Sequence, residues 1–88
     1  MHTKREFEWD EAKRLSNIEK HGLDFEDAVT LFDGQHIIAP AKMAGNEARF
    51  FATGQIGDFY VTAVYTLRGN TIRMISFRRA RHAERARL

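Results

Sequence analysis

The stretch from Gly54 to Asn70 constrains the fold more than any other part of this chain. Its middle, Phe59-Tyr60-Val61-Thr62-Ala63-Val64-Tyr65-Thr66, is a run of aromatic and β-branched side chains. Such residues suit the pleated surface of a strand and lose rotamer freedom in a helix. Turn formers bracket the run: Gly54 to Gly57 on one side, Arg68-Gly69-Asn70 on the other, where Gly69 and Asn70 both tolerate positive φ. A strand closed by tight turns at both ends has antiparallel neighbours. Residues 47–55 and 58–67 therefore read as a hairpin, and 71–79 as the returning strand.

The N-terminal half carries helix signals instead. Arg5-Glu6-Phe7-Glu8-Trp9 alternates polar and apolar residues and reads as a short strand. Asp10 can cap a helix through about Lys20, with Ala12, Leu15 and Ile18 at helical spacing and Gly22 as the stop. Asp24 caps a second helix whose apolar face is Phe25, Ala28, Val29 and Phe32; Leu23 and Ala28 flank that cap, and Asp33-Gly34 ends the helix. His36 to Ala39 is a short strand stopped by Pro40, residues 41–46 form a loop, and a short helix begins near Ala80. The expectation is one α+β domain over residues 1–88: a strand, two helices on one sheet face, an antiparallel meander and a terminal helix. The other face stays partly open for a ligand. In the last strand, strict alternation puts Ile72, Met74, Ser76 and Arg78 on one face and Arg73, Ile75, Phe77 and Arg79 on the other. Arg78 and Arg79 then point oppositely, and which face meets the helices stays open.

Charge is divided unevenly. Residues 1–47 carry six Lys/Arg against ten Asp/Glu, whereas residues 48–88 carry eight Arg and no Lys against Asp58 and Glu84 alone. The overall +2 thus hides an all-arginine basic half. Guanidinium forks match phosphate oxygens two at a time, so a polyanionic partner is indicated, with a solvated surface as the plain alternative. The chain has no cysteine, which removes disulfides and thiolate metal sites; His2, His21, His36 and His82 show no close ligand pair. No apolar run approaches the ~20 residues that span a bilayer. The charged N-terminus lacks a signal-peptide core. A cytoplasmic protein without membrane contact is expected. No glycine-rich phosphate loop is present, and no cofactor is expected.

Five blocks, taken together, have a familiar order. Phe7-Glu8-Trp9-Asp10, then Lys20-His21-Gly22-Leu23-Asp24-Phe25-Glu26-Asp27-Ala28, then Glu47-Ala48-Arg49-Phe50, Val64-Tyr65-Thr66-Leu67-Arg68-Gly69 and Ile72-Arg73-Met74-Ile75-Ser76-Phe77-Arg78-Arg79-Ala80 resemble the BrnT family, toxins of bacterial type II toxin–antitoxin systems. The resemblance covers nearly the whole chain. It implies a RelE-like fold and a metal-independent endoribonuclease that inhibits translation. It also implies neutralisation by a BrnA-like ribbon-helix-helix antitoxin, two toxins with an antitoxin dimer, operator DNA being met only through the antitoxin.

Metal-free RNA cleavage needs a base for the 2′-hydroxyl, a proton donor for the leaving oxygen, and cations around the phosphorane. Arg78 and Arg79 match the family's paired arginines, and Arg49 matches on a neighbouring strand; each would be an ordinary ion pair otherwise. His21 sits in a helix's last turn, where the dipole alone accounts for it. Glu84 is either a general base or a helix partner for Arg81 and Arg87. His21, Arg49, Arg78, Arg79 and Glu84 are therefore the catalytic candidates, and Lys20, Arg68, Arg73, Arg81, His82 and Arg85 the RNA-binding ones. The proton carrier stays open among His21, His82, Glu84 and Lys20. Phe50, Phe51, Tyr60 and Tyr65 offer a conceivable stacking platform, though most of them read as core. The competing function is a non-catalytic RNA- or antitoxin-binding module that uses the basic half as an interface.

Overall fold

The computed structural model describes residues 6–88. Strand β1 (Glu6–Glu8) leads into helix α1 (Glu11–His21), a 3-10 turn (Phe25–Asp27) and helix α2 (Ala28–Asp33); strands β2 (His36–Pro40), β3 (Phe50–Ile56), β4 (Phe59–Arg68) and β5 (Thr71–Arg79) and helix α3 (His82–Arg85) follow. Arg5, expected in the first strand, lies outside the described residues.

The sheet order is β1-β5-β4-β3-β2. The meander from β2 to β5 is antiparallel, as its turns require, while β1 joins β5 in parallel, so the sheet is mixed. Gly57 and Gly69 supply the left-handed turn residues at φ 57° and 60°; among the described residues no other residue type has positive φ, so Asn70 does not share that role.

Local signals set the helix ends. The Asp10 carboxylate accepts from the N–H groups of Ala12 and Lys13, and Gly22 closes α1 in the left-handed region at φ 70°. Asp24 accepts from the Glu26 N–H and from Arg14 Nη1 at 2.8 Å. That backbone bond first, then Arg14, holds the Asp24 carboxyl below its ordinary value.

Which helix faces are buried differs from the spacing-based expectation. In α1, Leu15 is exposed and the buried residue is Asn17. In the second helical segment Leu31 is buried alongside Phe25, Ala28 and Phe32, and Val29 is exposed. These four cover a sheet face built from Ala52, Val61, Ala63, Tyr65, Ile72, Met74 and Phe77. Burying each large side chain there contributes about 1.5–3 kcal/mol. Gly54 lies beneath α2, where a Cβ would fall 2.7 Å from Leu31 Cδ1 and 2.8 Å from the Gln35 carbonyl oxygen.

A bulge decides the faces of β5. Val64 pairs with Ser76 but Tyr65 pairs with Met74, so Ile75 is the extra residue. The alternation flips there. Ile72, Met74 and Phe77 all reach the core, while Thr71, Arg73, Ser76 and Arg78 fall on the opposite face; strict alternation had divided Met74 from Phe77. Arg78 and Arg79 still point to opposite faces.

The amide of Asn17 brackets β5 just past this bulge. Its Nδ2 donates to the carbonyls of Phe77 (2.7 Å) and Leu23 (2.9 Å), and its Oδ1 accepts from the Phe77 N–H at 3.0 Å. Strand β1 pairs only with Thr71 to Arg73. One side-chain amide therefore satisfies the backbone groups that a longer β1 would have paired.

Candidate functional site

The end of β5 and the helix after it form a compact polar assembly. Arg78 lies opposite Thr62 on the face away from α1 and α2. Its Nη1 and Nη2 donate to Glu84 Oε1 and Oε2 at 2.8 and 2.9 Å. Only 12% of the Arg78 side chain and 15% of that of Glu84 remain exposed, which marks the pair as interior. Glu84 Oε1 also accepts from the Arg81 N–H (2.7 Å) and from Thr62 Oγ1 (3.0 Å), and Thr62 Oγ1 lies 2.8 Å from the buried Thr53 Oγ1. Glu84 thus caps α3, docks it onto the sheet and clamps Arg78. The Arg78 bonds, helped by the Arg81 N–H and Thr62, lower its pKa to about 2 against the cost of burial. Its expected partners Arg81 and Arg87 do not engage it through their side chains. Arg78, six residues away across the strand-to-helix corner, does.

The other arginines sort into two groups. Arg73 donates to Glu8 at 2.6 Å; Arg68 approaches Glu8 (3.9 Å) and Glu47 (4.0 Å), and Arg49 approaches Glu47 (3.7 Å). This alternating chain of charges flanks Thr66, four residues along β4 from Thr62, or about 13 Å at strand rise. Arg49 and Arg78 start from opposite ends of this stretch, and among the described residues no shared carboxylate links them. The Arg49 Nε is buried without an acceptor among the described residues.

By contrast, among the described residues no carboxylate pairs with Arg79, Arg81, Arg85 or Arg87. All four are exposed. Arg79 lies over the Phe59 ring at 3.9 Å and Arg85 over the Tyr60 ring at 4.4 Å. Of the four aromatic side chains weighed for stacking, Tyr65 is core, Phe50 packs beside it, Phe51 lies 5.6 Å from Arg78, and Tyr60 carries Arg85. Asn17, Thr53 and Thr62 gave no signal in sequence, because each acts on a residue remote in the chain.

The Asn17–Phe77 bonds lay the second half of α1 along the end of β5. Lys20 and His21 follow in its last turn, exposed and without hydrogen bond or ion pair among the described residues. His82, also exposed, lies on α3. No group of three His, Asp or Glu side chains among the described residues could hold a metal ion, and no helix is long and apolar enough to cross a membrane.

Fold and site together define a small α+β protein that gathers unpaired guanidiniums around one clamped arginine, a surface suited to phosphodiesters. A family model described as "Ribonuclease toxin, BrnT, of type II toxin-antitoxin system" matches residues 9–84. The chain belongs to that family. Among solved structures it is similar to the ribonuclease toxin BrnT of Brucella abortus, a 1.1 Å crystal structure, at 32% identity and TM-score 0.75, over 90% of this chain and 100% of that one. No curated protein matches the chain. Membership makes it a ribonuclease toxin, and a type II system implies an antitoxin partner.

Proposed function

We propose that this toxin is a metal-independent endoribonuclease whose cleavage of RNA, free or on the ribosome, stops translation. The observation that carries this reading is the unpaired set Arg81, Arg85 and Arg87 that follows the Arg78–Glu84 clamp, with Arg79 unpaired on the other sheet face. Such donors stabilise the charge that builds on a phosphorane and need no rearrangement to do so. Arg78, held in one orientation, presents its remaining donor capacity; Arg81, three residues on at the start of α3, supplies unpaired positive charge, while Arg79 extends the cationic surface on the other sheet face.

Glu84 acts in this reading through Arg78. A carboxylate with a pKa of about 2 is too weakly basic to take a 2′-hydroxyl proton efficiently at neutral pH. The proton carriers are then His21 and His82, with Lys20 beside the first. Arg73 stays with Glu8, while Arg49 and Arg68 form a second cationic end on the same sheet face. At about 13 Å away, they would contact phosphates further along the strand.

The partner that neutralises the toxin is a BrnA-like ribbon-helix-helix antitoxin in a 2:2 complex, operator DNA being contacted only through it. Its toxin-binding segment presents carboxylates to the unpaired arginines. The test is purified, antitoxin-free protein with free and ribosome-bound RNA, with and without EDTA. EDTA-resistant cleavage and growth arrest on expression are expected. RNA left intact in both forms would leave a binding module as the alternative.

A further inference from the structure

A groove of about 1200 Å³ opens between α3, with the residues after it, and the adjoining ends of β2, β3 and β4. It exceeds the ~300–1,000 Å³ of ordinary small-molecule clefts, so it has room for more than one nucleotide. Gln35, Gln55, Tyr60, His82, Arg85 and Arg87 line it.

Two features distinguish this lining from a merely basic surface. First, the Arg85 guanidinium sits over Tyr60 at 4.4 Å, so a flat cation is already supported from below by a ring. A planar group stacked in this way offers its second face to another flat group. Second, the side chains of Gln35, Gln55 and His82 spend no hydrogen bond on other described residues. A primary amide carries a donor and an acceptor side by side, the complement of a nucleobase edge. Carboxylates of an acidic peptide would match the arginines but leave two amides with nothing to read.

We infer that this groove binds an unpaired nucleobase of the RNA, stacked on Arg85 and read along its edge by Gln55 and Gln35. The inference rests on the ribonuclease reading and adds a specificity site to it. Helix α3 separates the two functions: Glu84 faces the sheet and holds Arg78, while His82 and Arg85, three residues apart, border the groove. A base held there belongs to a nucleotide flanking the phosphate at Arg78 and Arg81.

The probe is a non-cleavable 2′-O-methyl RNA tetranucleotide carrying 2-aminopurine, whose fluorescence falls when it stacks. Saturable quenching is expected with the wild-type chain. Arg85→Ala and Gln55→Leu should each weaken it by about tenfold, in line with losing one stacked or edge-read base. Arg85→Lys should not restore it, and Lys13→Gln should leave it unchanged. All three positions are exposed, so melting curves will confirm folding. In cleavage assays, Gln55→Leu should broaden the set of nucleotides tolerated beside the cut. Quenching without any cleavage would support the groove and overturn the ribonuclease reading instead. Absent quenching, or equal quenching in Arg85→Ala, overturns the inference whatever the cleavage result. So does a shift of the Gln35 and Gln55 amide resonances by hexaglutamate but not by the oligonucleotide, which would mark an acidic-peptide site.

Discussion

Arg78 and Glu84 meet through two parallel hydrogen bonds of 2.8 and 2.9 Å across the corner where β5 turns into α3. The pair converts the basic run at the end of the chain into two kinds of arginine. One is locked into the fold by a carboxylate that also caps a helix. The others stand around it with their charge unspent. A toxin that binds both RNA and an antitoxin needs the second kind, and the first kind holds the second in place.

Glu84→Gln should destabilise the protein by about 2–3 kcal/mol, because Arg78 would keep its burial and lose its charged acceptor. Urea unfolding at neutral pH measures this. RNA cleavage should fall in parallel with the loss of α3 docking and not vanish while α3 stays docked. Abolished activity in a fully folded variant would restore a direct role for this carboxylate.

The same group makes a pH prediction. Its pKa is depressed from an ordinary 4.5 to about 2. The stability it contributes is therefore complete above about pH 5 and is lost as pH falls from there through 2, since the unfolded chain takes up the proton first. With allowance for partial solvent contact, about 2 kcal/mol should disappear over that window. Glu84→Gln should flatten this part of the curve.

Asn17→Ala should cost about 2–4 kcal/mol, since it orphans the Phe77 N–H and the Phe77 carbonyl together. Asn17→Asp carries a sharper signature. Its carboxylate would face the carbonyls of Phe77 and Leu23, so it would be destabilising at neutral pH and recover as acid protonates it. Thermal melts across pH 4 to 8 distinguish the two variants.

Gly54→Ala should destabilise by about 1–3 kcal/mol through overpacking, because the new methyl meets the Gln35 backbone as well as Leu31. Trimming Leu31 at the same time should recover only part of the loss, the carbonyl being fixed by the chain. Calorimetry of the single and double variants tests this.

Arg79→Gln and Arg73→Gln should behave differently. Each phosphate contact removed lowers the salt slope of single-strand binding by about 0.7. Arg79→Gln should show that drop with little change in melting temperature. Arg73→Gln, which strips Glu8 of its 2.6 Å partner, should show mainly a stability loss. Equal salt slopes would mean that the pairing seen here does not sort the arginines by role.

Much of the fold was legible before any tertiary contact was known. Asp10, Asp24 and Gly22 cap where their side-chain chemistry and φ demand, and Gly57 and Gly69 turn the chain between strands. The apolar helix faces were less legible. Leu15 and Val29 satisfied helical spacing yet face solvent, while Asn17 is buried because the unpaired end of β5 offers it hydrogen bonds that water would otherwise supply. The site was visible as a set of arginines and as a family pattern. Its internal division was not, because hydrogen-bonding reach decides it: Glu84 takes the side chain of Arg78 and not those of Arg81 or Arg87, and Glu8 is 65 residues from Arg73.

By itself, then, the sequence determined the capped helices, the turn-closed meander, the opposite directions of Arg78 and Arg79, and the family. All of these depend on local backbone preference or residue pattern, which act over a few positions. The tertiary structure alone decided the bulge at Ile75, the parallel docking of β1, and which guanidiniums are neutralised. Those depend on where a strand pair slips by one residue and which distant carboxylate comes within hydrogen-bonding reach, and neither is encoded in spacing along the chain.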